Sequence, residues 1–284
     1  MLTPKELREK SALWGVPVET VDKDWVLGHV LRGIFSHELK EKLVFKGGTC
    51  LRKAYFSDYR FSEDLDFTAA EPLTDSMFRQ SLTRSLEPIY EETGIHFGAP
   101  AVQRQLFEDR LMGYRISLPF WGAAHPRHRQ IPDQHRWMTR IRIDVSLHEE
   151  ICLPVARRPL LHSYSDCAAA GNEIPVYCLE EIFAEKLRSL IQRSYIAPRD
   201  CYDLWYLWSH CQDRINWRVV PATFEKKCRT KGIDFRDRSV FFPPERMFHM
   251  KKQWVPSLGS HLKTIPPADI AIEDLRKAIA HLFK

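Results

Sequence analysis

The sequence predicts an α/β (α+β) fold in its front part and a mainly helical back part. Short apolar runs typical of strands alternate with amphipathic helical segments up to about residue 155. Helical periodicity dominates after that point, so we place the domain boundary there, giving residues 1–155 and residues 156–284. No internal repeat is visible, which excludes a solenoid. A chain of 284 residues is long enough to bury one large core or two modest ones.

The first seventy residues predict a helical start followed by two short strands. Apolar residues recur at helical spacing between Trp25 and Leu39, with Asp22 or Asp24 as a plausible N-cap. An apolar run at 43–45 predicts a strand that leads into a glycine-containing turn and a short helix over 50–55. A second strand is predicted at 65–67.

One long helix and two longer strands are predicted next. Residues 74–93 form an amphipathic pattern, whose predicted buried stripe comprises Met77, Phe78, Leu82, Leu86 and Ile89. Residues 111–120 are mostly apolar, and residues 140–147 alternate strictly between polar and apolar side chains. We interpret 121–137, which is rich in His and Arg, as a mobile basic insertion rather than core, and 154–175 as a connector. Helices are predicted over 179–191 and around 204–208.

The composition favours a protein of a reducing compartment. The net charge is +5 with a pI near 8.8, and the seven cysteines are scattered without a CxxC pair. A disulfide framework and a zinc ribbon are therefore not expected. The first residues lack the apolar core of a signal peptide, and no apolar run reaches the roughly 20 residues that a bilayer requires. We expect a cytoplasmic protein that does not associate with a membrane.

Positive charge is concentrated near the C-terminal end. Residues 214–284 contain 15 Lys and Arg against 7 Asp and Glu, so the rest of the chain is mildly acidic. Basic and aromatic side chains alternate there, a mixture that can bind an RNA backbone and stack an unpaired end. A helical cap is the alternative interpretation. The residues are Lys226, Lys227, Arg229, Lys231, Phe235, Arg236, Arg238, Phe241, Phe242, Lys251, Lys252 and Trp254.

Paired carboxylates carry the clearest chemical signal. If residues 64–67 enter a strand, Asp64 and Asp66 share one face about 7 Å apart. Asp144 lies on the polar face of its own predicted strand and can complete a three-carboxylate site. Such carboxylates repel one another unless a cation lies between them, and their hard oxygens suit Mg²⁺ or Mn²⁺. This arrangement is typical of phosphoryl or nucleotidyl transfer.

Two further features predict phosphate contacts. The turn at Gly47 and Gly48 brings backbone N–H groups and the Thr49 hydroxyl near a phosphate. Lys186 lies within an apolar helical stripe, so its charge needs a cleft or a partner, and a compact ammonium suits phosphate oxygens. Two helical turns place Arg193 on the same side.

Four motifs follow one another over about residues 43–210. They are KGGTCL at 46–51, RFSEDLDF at 60–67, LEEIFAEKLR at 179–188 with Arg193, and PRDCYDL at 198–204. In combination they resemble the AbiEii/MenT-type nucleotidyltransferase toxins of the DNA polymerase β-like superfamily. The resemblance implies a polymerase β-like domain with a mixed sheet, followed by the helical part.

The resemblance also implies an activity and partners. The implied activity is the metal-dependent transfer of a nucleoside monophosphate from an NTP to RNA at the tRNA 3′ end. This transfer would block translation and arrest growth. The implied partner is a cognate antitoxin. Asp64 and Asp66 are implied metal ligands, with Lys186 and Asp203 as further catalytic residues contributed to the cleft by the helical part. The implied nucleotide-binding residues are Lys46, Gly47, Gly48, Thr49, Ser62 and Arg193.

Alternatives stay open at this point. The acceptor can instead be a protein side chain or a small-molecule hydroxyl, and a non-catalytic NTP-binding module is a second class of function. Asp200 is interpreted as a helix cap or as an ion-pair partner of Arg193 or Arg199. The twelve histidines include no local HxxxH or HxH pair, so a zinc hydrolase is not supported.

Overall fold

The computed structural model describes residues 2–125, 131–166 and 173–284. The chain divides into two compact units, the first formed by 1–149 with 156–176 and the second by 150–155 with 177–284. The first unit thus includes residues that follow the predicted boundary at 155. The middle of the predicted basic insertion, residues 126–130, lies outside the described residues.

Three helices open the first unit, as predicted. They are α1 (Pro4–Trp14), α2 (Val18–Ser36) and α3 (Leu39–Lys42). The predicted N-cap is wrong, since α2 begins after Pro17 and both Asp22 and Asp24 lie buried inside it. Burial of these carboxylates is possible because each accepts hydrogen bonds from groups distant in sequence, such as the backbone N–H of Ala123 on Asp22.

A mixed sheet forms the centre of the first unit. Its strands are β1 (Leu43–Lys46), β2 (Asp64–Ala69), β3 (His96–Phe97), β4 (Ala101–Phe107), β5 (Arg110–Trp121), β6 (Arg140–Ser146), β7 (Ala156–Pro159) and β8 (Glu173–Val176). The strand order is β3-β5-β6-β2-β1-β8-β7, with β4 paired to β5. β2 is antiparallel to β1 and parallel to β6. This confirms the predicted α/β class.

Helical segments connect these strands. α4 (Gly47–Cys50) continues into a π-helical turn (Leu51–Tyr55), and α5 (Asp75–Thr93) starts at an N-cap threonine, Thr74. Four of the five residues predicted as the buried stripe of α5 are buried, but Met77 is 40% exposed. The prediction is wrong for Met77. The buried stripe runs through Phe78 at intervals of three and four residues, and Met77 lies beside that stripe on the helix surface.

The predicted connector over 154–175 is wrong, since it contains β7 and the first part of β8. β8 pairs in parallel with β1, and its side chains Ile174 and Val176 are buried. The strands are short, and each contains a proline, Pro159 or Pro175, a residue that normally argues against a strand. The strands β3 and β4 were also not predicted. β3 is short, and β4 is polar because it exposes most of its side chains.

Apolar side chains on one face of the central strands form the core of the first unit. Along β6, Ile141, Ile143 and Val145 are buried while Arg140 and Arg142 are exposed, which confirms the predicted alternation. Phe35 of α2 packs on the sheet, with its ring 5.9 Å from that of Phe67. The polar face of the same strands is thereby left for the functional residues.

A buried ion cluster ties α2 to the π-helical turn. The carboxylate of Asp24 accepts hydrogen bonds from Arg52 Nε at 2.7 Å, from Lys53 Nζ at 2.8 Å and from the Tyr164 hydroxyl at 2.8 Å. Burial by itself would raise the pKa of Asp24, but the two cations overcome that effect and hold it well below its usual value. The cluster therefore fixes the segment that follows the Gly47 turn.

The second unit is helical, as predicted, with α6 (Leu179–Gln192), α7 (Pro198–His210), α8 (Val220–Thr230), α9 (Pro244–Leu258) and α10 (Ala268–Leu282). The predicted RNA-binding mixture is partly wrong. Lys227 is buried with its Nζ 2.9 Å from Glu181, and Phe241 and Trp254 are core residues. The amphipathic helices α8 and α9 turn Lys227 and Trp254 inward, which the charge count alone does not reveal. Within the described parts of the chain, no helix combines the length and apolarity needed to cross a membrane.

We expect Asp24→Asn to destabilise the protein by about 3–5 kcal/mol, because it removes the carboxylate shared by two buried cations. The wild-type protein should lose this contribution as the pH falls below about 4, since the folded pKa lies below the reference 3.8. Urea unfolding at several pH values measures both effects. The exposed Asp58→Asn is the control and should change stability little. An acid limb equally steep in Asp24→Asn would contradict this assignment.

Candidate active site

Strand register brings the three predicted carboxylates together on the polar face of the sheet. Asp66 on β2 lies between Lys46 of β1, its antiparallel partner, and Asp144 of β6, its parallel partner. Asp64 is in register with Arg142 of β6. Residues two apart on a strand share a face, so Asp64 and Asp66 project to the same side. The grouping expected from the sequence is therefore present in the backbone.

Two arginines that sequence reasoning did not select neutralise these carboxylates. Arg142 forms an ion pair with Asp64, and its Nε lies 3.2 Å from Asp144 Oδ2. Arg115 of β5 donates from Nε to Asp144 Oδ1 at 2.7 Å. The alternation in β6 places Arg142 on the face of Asp144, but nothing in the sequence links Arg115 to it. The pairing shows that this face attracts cations.

The glycine turn after β1 packs directly against the carboxylates. Gly47 has a φ of +82°, and a Cβ there would lie 2.5 Å from Asp66 Oδ2. A Cβ on Gly48 would lie 2.6 Å from Arg60 Nη2 and 3.3 Å from Ser62 Oγ. Position 47 therefore favours glycine for its backbone conformation, and at Gly48 a larger residue would have to displace the side chains of Arg60 and Ser62.

Thr49 fastens the same turn to β2. Its buried hydroxyl donates to the backbone carbonyl of Asp64 at 2.5 Å. This hydrogen bond thus fixes the position of the turn relative to the carboxylates. The contact of the Thr49 hydroxyl with a phosphate stays a prediction. The neighbouring Cys50 is buried, which raises the pKa of its thiol well above the usual value and keeps it protonated.

A basic cavity of about 430 Å³ adjoins Asp64 on this face. Four cationic side chains line it together with polar and apolar groups from β4 and β5. The cationic residues are Lys23, Arg115, Arg140 and Arg142. Such a concentration of positive charge beside carboxylates suits a polyanion whose phosphates lie next to a metal-binding group.

The second unit contains a separate charged cluster around the lysine predicted to contact phosphate. Lys186 is 8% exposed. Its Nζ lies 2.6 Å from Asp203 Oδ2 and 2.9 Å from Asp200 Oδ1. Asp203 is completely buried, and Asp200 also pairs with Arg193 at 2.5 Å, as one interpretation of it predicted. Asp200 is not the helix cap, because α7 begins at Pro198 after Ala197.

The sequence matches the family model of the AbiEii nucleotidyl transferase toxin of type IV toxin–antitoxin systems over residues 29–281. The chain belongs to the AbiEii family. This confirms the resemblance inferred from the four motifs and the predicted class of enzyme, a nucleotidyltransferase. Membership in a toxin family implies a nucleotide substrate and an antitoxin.

One solved structure agrees with this assignment at the level of the fold. MenT4, a nucleotidyltransferase toxin from Mycobacterium tuberculosis H37Rv, matches with a TM-score of 0.67 and 20% identity, covering 99% of this chain and 90% of its own. An antigenic nucleotidyltransferase-like protein from Paracoccidioides brasiliensis reaches a TM-score of only 0.34 at 12% identity, over 74% of this chain and 89% of its own. No match was found among the curated proteins.

The site residues predicted for this AbiEii-family chain, from its motifs and from the alternation of β6, fall into two groups. Asp64, Asp66, Asp144 and the glycine turn lie in the first unit, whereas Lys186 and Asp203 lie in the second. Their meeting in one cleft stays a prediction. A third cluster, His29, His162 and Asp166, was missed because its members are far apart in the sequence.

Gly47→Ala tests the turn of this AbiEii-family protein. We expect it to lose about 1–2 kcal/mol of stability from the positive φ and to abolish activity because the new methyl displaces the Asp66 carboxylate. The matched control is Gly232→Ala, where φ is +64° and no atom of a described residue lies within 4 Å of the added Cβ. It should show the backbone cost alone in thermal unfolding. Retained activity in Gly47→Ala would mean that the contact with Asp66 has no catalytic role.

Proposed function

We propose that this protein transfers a nucleoside monophosphate from an NTP to RNA, at the 3′ end of tRNA, and thereby blocks translation and arrests growth in the cytoplasm. A cognate antitoxin opposes it. The observation that carries the proposal is the register of β1, β2 and β6, which places Asp64, Asp66 and Asp144 together beside the glycine turn.

The three carboxylates suit a divalent cation with oxygen ligands, Mg²⁺ or Mn²⁺. Arg115 and Arg142 pair with oxygens of Asp64 and Asp144, so these arginines have to turn away when a metal binds. A bound metal would neutralise the triphosphate and polarise its α-phosphate. The displaced guanidinium groups then become available to the phosphate oxygens of the substrate, where bidentate donors are favourable.

The transfer step is a displacement at the α-phosphorus of the NTP. The oxygen of the acceptor hydroxyl forms the new P–O bond, the bond to the β-phosphate oxygen breaks, and pyrophosphate leaves with its electron pair. The hydroxyl proton passes to a carboxylate oxygen of the aspartate cluster. Backbone N–H groups at Gly47 and Gly48 and the hydroxyl of Ser62 would hold the triphosphate, with Lys46 fixing Asp66 from the adjacent strand.

The acceptor we propose is RNA, on account of the basic cavity beside Asp64. Its four cations lie on the carboxylate face, so a backbone bound there would present a terminal hydroxyl near the aspartates. The C-terminal basic residues support RNA binding less, because Lys227 is buried and Lys226 pairs with Glu150 at 2.6 Å.

The decisive experiment incubates the protein with Mg²⁺, total tRNA and each α-³²P-labelled NTP in turn. We expect label on tRNA with the wild-type protein and a loss of about 10³-fold or more with Asp66→Asn, which removes a ligand charge from the transition state. Asp58→Asn, an exposed aspartate on a loop, should label like the wild type. Label on a protein or on a small molecule, with none on tRNA, would show that this other molecule and not RNA is the acceptor. NTP binding without pyrophosphate release would refute the transferase mechanism.

Lys186 and Asp203 are proposed to act as a pair. Lys186 contacts the nucleotide phosphates, and Asp203 positions the ammonium group of Lys186. We expect Lys186→Gln to lower kcat/KM by about 10²–10³-fold. Asp203→Asn should lower it less and should also lower the melting temperature, because it leaves a buried ammonium with one carboxylate fewer. Lys5→Gln, an exposed lysine of α1, is the control. Unchanged kcat/KM in Lys186→Gln would restrict this pair to a structural role.

A further inference from the structure

Two histidines and one aspartate converge inside the first unit, on elements other than the carboxylate strands. His29 comes from α2, and His162 and Asp166 come from the segment after β7. His29 Nε2 lies 3.4 Å from Asp166 Oδ2, and His162 Nε2 lies 3.4 Å from Asp166 Oδ1. One potential ligand atom from each residue fits within a 4.8 Å group, and all three side chains are buried.

The polar atoms of this cluster are incompletely satisfied. Among the residues that the structure describes, both ring nitrogens of His29 are buried and have no hydrogen-bond partner, and the same is true of Nδ1 of His162. The 3.4 Å approach of His29 to Asp166 therefore lacks the geometry of a hydrogen bond. A buried histidine with two idle nitrogens is rare, because burial of polar groups without a partner is costly. A bound cation would supply the missing partner.

The separations match a four-coordinate metal. With bonds of about 2.0–2.1 Å and tetrahedral angles, ligand atoms lie about 3.3–3.4 Å apart. The two nitrogen–oxygen distances of 3.4 Å are of this size, although they run to different oxygens of Asp166, and one ligand atom from each residue lies within 4.8 Å of the others. Two imidazoles and one carboxylate are ligands that zinc prefers, whereas Mg²⁺ prefers oxygen ligands only.

We propose that His29, His162 and Asp166 bind a Zn²⁺ ion, with a water as fourth ligand. The ion would join α2 to the segment that carries His162 and Asp166 and so stabilise the first unit. The site is distinct from the carboxylate cluster in its residues and in the metal it selects, so it does not depend on the proposed transferase reaction.

Neighbouring residues hold the ligands as outer-shell groups do in zinc sites. Trp25 Nε1 donates to both oxygens of Asp166, at 3.2 and 3.0 Å, and so fixes the carboxylate plane. Gly28 leaves room for His162, because a Cβ at that position would overlap with the Nδ1 atom of the ring. The nearby buried cations Arg52 and Lys53 each donate to Asp24.

Zinc binding is tested on the full chain without a polyhistidine tag, after removal of metals with a chelator. Zn²⁺ is titrated in competition with a chromophoric chelator, and Co²⁺ is titrated alone to record the visible bands of a four-coordinate site. We expect one equivalent to bind, those Co²⁺ bands, and a higher melting temperature with Zn²⁺. Failure of the wild-type protein to bind one equivalent, or a Co²⁺ spectrum of six-coordinate type, would overturn the proposal.

Variants locate the site. His162→Gln and His29→Gln should each weaken Zn²⁺ binding by about 100-fold or more, and Gly28→Ala should weaken it about 10–100-fold by displacing His162 without removing a ligand. His135→Gln, whose side chain is 86% exposed, is the matched control and should bind normally. If a histidine variant does not fold, the Zn²⁺ affinity of Gly28→Ala and the Co²⁺ spectrum of the wild-type protein decide whether the site exists. Equal affinity in Gly28→Ala, the folded ligand variants and the control would refute the site.

Asp66→Asn separates this proposal from the transferase reaction. It should bind Zn²⁺ with wild-type stoichiometry while losing activity, since Asp66 belongs only to the carboxylate cluster. Loss of the zinc equivalent in Asp66→Asn would assign the ion to the carboxylates and overturn the proposal.

Discussion

Electrostatic repulsion among three carboxylates on one face of the sheet is the constraint on which the first unit depends. Hydrogen-bonding register fixes Asp64, Asp66 and Asp144 on two neighbouring strands, so they cannot move apart without breaking the sheet. Cationic side chains on the same face, Arg115 and Arg142, offset this repulsion. These ion pairs thus lower the repulsion that the carboxylates would otherwise exert on one another across the strands.

Rigid support below this face keeps the glycine turn in place. Thr49 ties the turn to the backbone of Asp64, and the buried Asp24 holds the next residues, Arg52 and Lys53, against α2. Positive φ at Gly47 costs little because glycine has no Cβ. The apolar faces of the strands pack on helices, so the polar face is positioned by the core rather than by flexible loops.

Local patterns accounted for most of the elements that carry the site. The alternation in β6, the apolar run of β1 and the spacing of Asp64 and Asp66 each predict a structure within a few residues, and the structure contains all three. Patterns of this kind did not find β7 and β8, whose prolines argue against strands until a neighbouring strand supplies their partners. Asp22 and Asp24 look like helix caps in the sequence, but tertiary contacts buried them instead.

The sequence by itself determined the family, the class of reaction and the residues of the motifs, because these depend on residue identity at short spacing. Only the tertiary structure decided which side chains that are distant in sequence contact one another. Arg115 reaches Asp144 through strand pairing, Lys227 turns inward to Glu181, and His29 approaches His162 across a large part of the chain. Contacts between residues far apart in sequence leave no periodic pattern, so only the folded chain reveals them.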